Sequence, residues 1–168
     1  MLKQSPSKKE SVGFSMKEIE RKWLVSEVPN ISESSAEEIR QGYLMVAPDG
    51  SEERVRERAG VFYFTRKGVG SLERTEEEQQ IPRHEFLSLW EKTDGRRVEK
   101  TRYRIPYEGL IIEVDVYRGA LAGLVLAEVE FSSLREAQKF SPPGWFGREV
   151  TDDPAYKNRN LALAAPAS

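Results

Sequence analysis

Cysteine is absent from this 168-residue chain, and histidine occurs once, at His84. The first absence excludes disulfides and thiolate metal sites, so a protein-bound metal would rely on carboxylate oxygens. The second argues against a His-based zinc site and against a Ser-His-Asp triad. No apolar run approaches the ~20 residues that a membrane-spanning helix needs. Residues 1–15 hold lysines and serines without the apolar core of a signal peptide, which points to a cytoplasmic protein with no membrane partner. That stretch is expected to be disordered, with Met16 as a candidate start and one folded domain over 16–168. An excess of one charge is missing too: 26 basic and 28 acidic residues leave a net charge of −2. No broad nucleic-acid surface is therefore expected.

What the chain does have is charge sorted by position. Glu18, Glu20 and Lys22 alternate with Ile19 and Arg21; Arg54, Arg56 and Arg58 alternate with Val55 and Glu57. The pattern returns at Glu76 and Glu78, at Lys100, Arg102 and Arg104, at Glu113 and Asp115, and at Glu128 and Glu130. Residues two apart share a face of a β-strand, so each segment carries doubled or tripled charge on one side. An ordinary solvated sheet face mixes polar types and sets opposite charges across from each other. Here whole segments carry one sign at consecutive same-face positions. Like charges about 7 Å apart repel unless something of opposite sign lies among them. A polyanion accompanied by a divalent cation would satisfy both sets.

Strand-like alternation covers residues 18–25, 37–47, 52–59, 61–67, 73–81, 97–107, 110–118 and 124–131. Turn-forming breaks separate these segments, among them Pro48-Asp49-Gly50, Ala59-Gly60 and Glu108-Gly109. Phe86, Leu87 and Trp90 at helical spacing predict an amphipathic helix over 83–93. A second short helix is predicted from Ser133 to Phe140, capped by Ser132 or Ser133, and a last helical turn or two over 156–164. Eight strands joined mostly by tight turns predict a mainly β fold with peripheral helices: an eight-stranded antiparallel barrel, charged inside and apolar outside. Because Ile112, Val114 and Val116 would need cover on that outside, a homodimer is a further expectation.

Carboxylates suit Mg²⁺ or Mn²⁺, while guanidinium groups grip phosphate bidentately and lysine acts as a point charge. Phosphoryl transfer asks the protein for positioning and charge neutralisation rather than covalent chemistry. The residues by themselves thus point to metal-dependent handling of a linear polyphosphate.

Glu18-Ile-Glu-Arg-Lys22 matches a Glu-x-Glu-x-Lys signature, and with it the chain resembles the CYTH superfamily, the triphosphate tunnel metalloenzymes. The resemblance continues through Ile39–Leu44, Arg54-Val-Arg56, Thr65-Arg-Lys67, Arg74–Glu78, Val98–Tyr103, Ile112–Tyr117, Leu126–Phe131, Trp145–Val150 and Tyr156-Lys-Asn158. Within that superfamily it is most similar to the short bacterial inorganic triphosphatases of the Nitrosomonas europaea type. The resemblance implies an antiparallel barrel forming a tunnel and hydrolysis of inorganic triphosphate with Mg²⁺ or Mn²⁺, two ions acting during turnover. It implies Glu18, Glu20, Asp115, Glu128 and Glu130 as metal ligands, and Lys22, Arg54, Arg56, Lys67, Lys100 and Arg102 as the grip on triphosphate. Glu76, Glu78, Lys100 and Tyr43 would form the catalytic set. Thiamine triphosphatase, class IV adenylate cyclase and a non-catalytic polyphosphate-binding module remain alternatives on the same scaffold. Structural roles are expected for Arg58, Arg74 and Arg104 as ion-pair partners, for Lys157 and His84 as surface residues, and for Trp23, Trp90 and Trp145 as outer packing. Glu113 is open between a ligand role and a salt bridge.

Overall fold

The computed structural model describes residues 19–31, 36–69 and 75–164. Nine strands run in chain order: β1 (Ile19–Val25), β2 (Ala36–Val46), β3 (Glu52–Arg58), β4 (Val61–Lys67), β5 (Glu76–Ile81), β6 (Arg97–Tyr107), β7 (Leu110–Arg118), β8 (Val125–Phe131) and β9 (Phe146–Glu149). Helices α1 (Arg83–Trp90), α2 (Leu134–Lys139) and α3 (Asn158–Ala164) lie between or after them. The strands form one antiparallel sheet in the order β5-β4-β3-β2-β6-β7-β8-β1-β9. The mainly β fold with peripheral helices is as expected, with two differences. Among the described residues no ladder joins β5 to β1 or β9, so the expected barrel is an open tunnel wall. The additional strand β9 pairs with β1 through Trp23 and Val25; its segment is too short to show alternation in the sequence.

Local chemistry accounts for the sharp turns. Ala59-Gly60 and Glu108-Gly109 each place two successive residues at positive φ (48° and 77°, 49° and 78°). Two central residues at positive φ define the primed hairpin turn whose twist matches the flanking strands, and glycine takes its second position without strain. A register shift between Tyr43 and Met45 interrupts the β2–β3 ladder just before Glu52. At α2, Ser133 Oγ accepts from the Glu136 amide at 3.1 Å, which identifies the expected cap.

Register puts every charge-sorted segment on one face. Arg56 stands opposite Gln41 and Tyr63, Arg54 opposite Tyr43 and Thr65, Lys100 opposite Ile39, Arg102 opposite Glu37 and Asp115, and Lys22 opposite Glu128. This inner face carries the charge-sorted residues; the outer face holds two covered apolar layers together with ion pairs such as Arg40–Glu57, Arg66–Glu53 and Arg118–Glu38. Trp23, Ile112, Val114, Ala127, Val129 and Phe131 pack with Ala137 of α2 and with Phe140 and Phe146. On the other half, Val55, Phe62, Phe64 and Ile81 pack under Phe86 and Trp90 of α1. A fully buried Val, Ile, Leu or Phe contributes about 1.5–3 kcal/mol relative to an exposed one, so these two layers hold the wall in shape. Ile112 and Val114 are 0% exposed within the single chain, covered by α2 and the Phe140–Phe146 segment, while Val116 is half-buried beside them.

A third apolar cluster lies on the inner face itself. Tyr43, Val98, Tyr117 and Leu126 pack there against Leu161 and Ala162 of α3 and against Val150. The inner face is consequently dry and closed where α3 rests, and charged beyond it. Residues 1–15, Met16, Glu18 and Arg74 lie outside the described residues.

Candidate active site

A cavity of about 290 Å³ opens beside α3 on the inner face. Among the described residues it is lined by seven cationic side chains: Arg54, Arg56, Lys67, Lys100, Arg102, Lys157 and Arg159. The lining includes one carboxylate, Glu52. Such an excess of positive charge in a partly buried space calls for an anion.

The cations come from two groups of strands and are held differently. On β6, Lys100 Nζ donates to Asp115 Oδ2 at 2.8 Å; Arg102 donates through Nε to Oδ1 at 2.8 Å and through Nη2 to Oδ2 at 3.0 Å. Arg102 Nη1 also lies 3.0 Å from Glu113 Oε2, an ion pair that falls outside hydrogen-bonding geometry. Burial would raise the Asp115 pKa, but Lys100 and Arg102 more than offset it and hold the carboxyl below its ordinary range. Burial depresses the Lys100 ammonium even though Asp115 pulls the other way. For Arg102 the carboxylates Asp115 and Glu113 outweigh burial, and its pKa is raised.

On β3 the cations are held more loosely. Arg54 Nη1 donates to Glu52 Oε1 at a long 3.4 Å and Nη2 lies 3.9 Å from Glu76, while its Nε is buried without a partner. Arg56 Nε is buried and unpartnered as well. Burial and then the charges of Arg54, Arg58 and Arg102 push the Arg56 pKa down. Buried polar atoms without partners are rare in folded proteins, and two guanidinium nitrogens in one cavity mark where acceptor oxygens belong.

Other expected site residues are distributed around this cavity. Lys67 Nζ, on β4, lies 3.7 Å from Glu52 Oε1 and lines it. Lys22 Nζ donates to the Tyr156 carbonyl at 3.1 Å and lies 3.9 Å from Glu128. Glu78 Oε2 accepts from Thr65 Oγ1 at 3.1 Å, and Glu76 reaches toward Arg54, so both β5 carboxylates face inward. Tyr43 is 1% exposed, and its hydroxyl accepts from Gln41 Nε2 at 2.7 Å. Burial raises its pKa. It is thus both a packing residue beneath α3 and part of the cavity wall. Arg58 pairs with Glu37 at 2.7 Å and Arg104 with Glu113 at 3.6 Å, the structural roles expected of them.

The acidic positions are less concentrated. Glu20 stands opposite Glu130 on the β1–β8 ladder, with Glu128 two residues away and opposite Glu113 of β7. Among the described residues no three acidic or imidazole side chains converge on one point. Directly opposed like charges are unfavourable unless a cation lies between them. A Mg²⁺ ion takes one or two protein carboxylates and completes its shell with water and phosphate oxygens. The carboxylates of the Glu20, Glu128 and Glu130 belt are of the chemical type that supplies one or two such ligands, but among the described residues they form no preassembled protein cage. Asp115 is set apart, with both oxygens engaged by Lys100 and Arg102.

Sequence reasoning missed three cavity residues. Lys157 reads from sequence as a surface lysine in preference to a cap on the tunnel, and no pattern singles out Arg159; both reach the cavity because α3 docks on the inner face, which no local pattern announces. Glu52 could have been found, because it continues the Arg54, Arg56 and Arg58 face by two residues.

Similarity to known proteins accords with this geometry. No family model matches the chain. It is 49% identical over 153 residues to an inorganic triphosphatase of Nitrosomonas europaea, covering 90% of this chain and 100% of the relative. The chain belongs to the CYTH superfamily, among its inorganic triphosphatases. A second inorganic triphosphatase, from Acetivibrio thermocellus, is 41% identical over 147 residues, covering 86% of this chain and 92% of the relative. The crystal structure of an inorganic triphosphatase superposes with a TM-score of 0.79 at 46% identity, covering 89% of this chain and 97% of that one. In CYTH terms, the inner face is the tunnel wall and the cationic cavity lies within the tunnel.

Proposed function

We propose that this chain hydrolyses inorganic triphosphate to diphosphate and phosphate inside the cationic cavity. The observation that carries the reading is the pair of buried, unpartnered guanidinium nitrogens of Arg54 and Arg56 in a lining of seven cations and one carboxylate. Relatives at 49% and 41% identity that bear the name inorganic triphosphatase support the same substrate. A thiamine or adenosine group would require an apolar slot beside the phosphates. The apolar flank of this cavity is instead filled by Leu161 and Ala162 of α3, which favours the unesterified chain.

In this reading Arg54, Arg56 and Arg102 clamp phosphate oxygens, while Lys67 and Lys100 neutralise charge on the chain and on the departing diphosphate. Asp115 holds Lys100 and Arg102 at fixed positions, so little reorganisation accompanies reaction. Glu20, Glu128 and Glu130, with Glu18, would hold a divalent cation. Such an ion, Mg²⁺ or Mn²⁺, supplies charge neutralisation at phosphate oxygens and acidifies water. Glu76 and Glu78 stand on the inner face of β5 beside Arg54 and Thr65, outside the cavity lining, where a carboxylate can accept a proton from attacking water. One bond forms between the water oxygen and the terminal phosphorus, the bridging P–O bond breaks, and diphosphate leaves.

Phosphate release from tripolyphosphate, with ATP and thiamine triphosphate as competitors and with Mg²⁺, Mn²⁺ or a chelator, tests the assignment. Faster turnover of ATP or thiamine triphosphate would replace it, and cyclic AMP from ATP would indicate a cyclase. Binding without turnover under every metal would reduce the chain to a polyphosphate-binding module. Within that assay, Glu20→Gln is expected to abolish metal-dependent turnover while circular dichroism stays unchanged; full activity would remove Glu20 from the ligand belt.

A further inference from the structure

Glu52 is the acidic residue in the cavity lining, and the metal belt and the catalytic pair on β5 leave it without a role. It begins β3, opposite Lys67 on β4 and Val46 on β2, just past the register shift that follows Tyr43. Val46 packs into the apolar cluster under α3, so Glu52 marks the closed end of the charged space. Its residue exposure is 6%. Oε1 faces Arg54 Nη1 at 3.4 Å and Lys67 Nζ at 3.7 Å, whereas Oε2 is buried with no partner.

Arg54 Nε and Arg56 Nε lack acceptors, which phosphate oxygens would supply; Glu52 Oε2 lacks a donor, which a fully ionised phosphate chain cannot supply. Two anionic oxygens meeting in a buried space need something positive or a proton between them. A second divalent cation is disfavoured there, because Arg54 and Lys67 already lie beside Glu52 Oε1 and five further cations line the same cavity. A proton adds little charge and is available: the second ionisation of a phosphate monoester lies near 6, so terminal phosphoryl groups carry one part of the time at neutral pH. We infer that Glu52 is a specificity-determining residue that holds the terminal phosphoryl group of the substrate through one shared proton, so that the cavity selects a free, proton-bearing chain end. This deepens the triphosphate reading above and rests on it.

Facing titratable and charged groups are Tyr43 from β2, Arg54 on β3, Lys67 from β4, Glu76 near Arg54 from β5, Lys100 from β6 and Lys157 before α3. Any of these can exchange protons on binding, so the test compares two chains that differ at one atom. Calorimetry of tripolyphosphate binding without divalent metal, in buffers of different ionisation enthalpy at pH 8, counts the protons taken up. The wild-type chain is expected to take up about 0.5–1 proton more than Glu52→Gln. Its Kd should therefore rise about 3–10-fold more steeply per pH unit between pH 7 and 9. Glu52→Asp, which keeps the carboxylate, should restore the count. Equal counts in wild type and Glu52→Gln would overturn the inference and point to a bridging water that donates to both oxygens. Zero uptake by the wild type overturns it without reference to any variant. The readout is binding, so failed phosphate release would remove the hydrolytic reading and leave this result standing.

Discussion

The cations of β6 and those of β3 face the same cavity but stand in opposite electrostatic condition. Lys100 and Arg102 share Asp115 through three hydrogen bonds, and Arg102 adds an ion pair with Glu113. Arg54 and Arg56 each keep a buried nitrogen with no partner, and burial, followed by the neighbouring guanidinium groups, disfavours the charge on Arg56. One half of the site is therefore neutralised closely by the fold, whereas in the other Arg54 makes only longer contacts to Glu52 and Glu76, and the unpartnered nitrogens of Arg54 and Arg56 are left for the ligand. Preorganised and incomplete groups need each other: the first supplies geometry, and the second supplies the free energy of binding.

The comparison breaks most visibly at Asp115, which is 3% exposed. Asp115→Ala strands two buried cations, and removing one partner of a buried pair typically costs about 3–5 kcal/mol. Urea unfolding should show that loss, and a change under ~1 kcal/mol would mean that the pair does not hold the β6 half together. The same carboxyl predicts an acid limb. Its pKa is lower in the folded chain than the unfolded value of about 3.9. Its contribution is thus complete above that unfolded value and is lost as pH falls through the folded one. Asp115→Asn should flatten that limb of the stability curve.

Arg56→Ala should behave in the contrary way. One charge-assisted clamp is worth about 1.5–3 kcal/mol, so apparent triphosphate affinity should fall roughly 10- to 150-fold. Stability without ligand should hold steady or rise slightly, since Arg54, Arg58 and Arg102 lose a repelling neighbour. The thermal shift produced by tripolyphosphate should shrink accordingly. Equal loss of stability and affinity would show that Arg56 belongs to the neutralised half after all.

Much of this contrast was legible as alternation. The eight strand segments, both hairpin turns and the inner-face parity of Arg54, Arg56, Lys67, Lys100, Arg102 and Glu128 follow from a period of two, which the ladders preserve. Alternation places a residue on a face but says nothing about which neighbour on that face it meets. Asp115 and Glu128 look alike in sequence, yet one is taken up by Lys100 and Arg102 and the other lies beside Lys22. The closed end was hidden for a related reason. Tyr43, Val98, Tyr117 and Leu126 have inner-face parity but are apolar, and their burial depends on a helix docking from forty or more residues away in the case of Val98 and Tyr117. The open edge between β5 and β9 was equally invisible, because strand count alone does not decide whether a sheet closes.

The smallest expected effect sharpens the contrast from outside the cavity. Glu37 stands opposite Arg102 on the β2–β6 ladder and accepts from Arg58 Nε at 2.7 Å, with 20% and 33% of the two side chains exposed. Its pKa is lowered first by the Arg58 hydrogen bond and then, against some burial, by Arg58, Arg104 and Arg102. This pair is neutralised by the fold, as the β6 cations are, but it is open to solvent, where ion pairs are worth about 0.2–1 kcal/mol. Glu37→Gln should therefore cost no more than about 1 kcal/mol in urea unfolding at pH 7, with the difference vanishing as pH falls through the lowered pKa of Glu37. It should leave the tripolyphosphate Kd within about twofold, because Arg58 lies outside the lining that contacts the ligand. A gain in affinity of tenfold or more would show that Arg58, once released, joins Arg54 and Arg56, and the boundary between fold-neutralised and ligand-neutralised cations would then run between β2 and β3 rather than along the cavity rim.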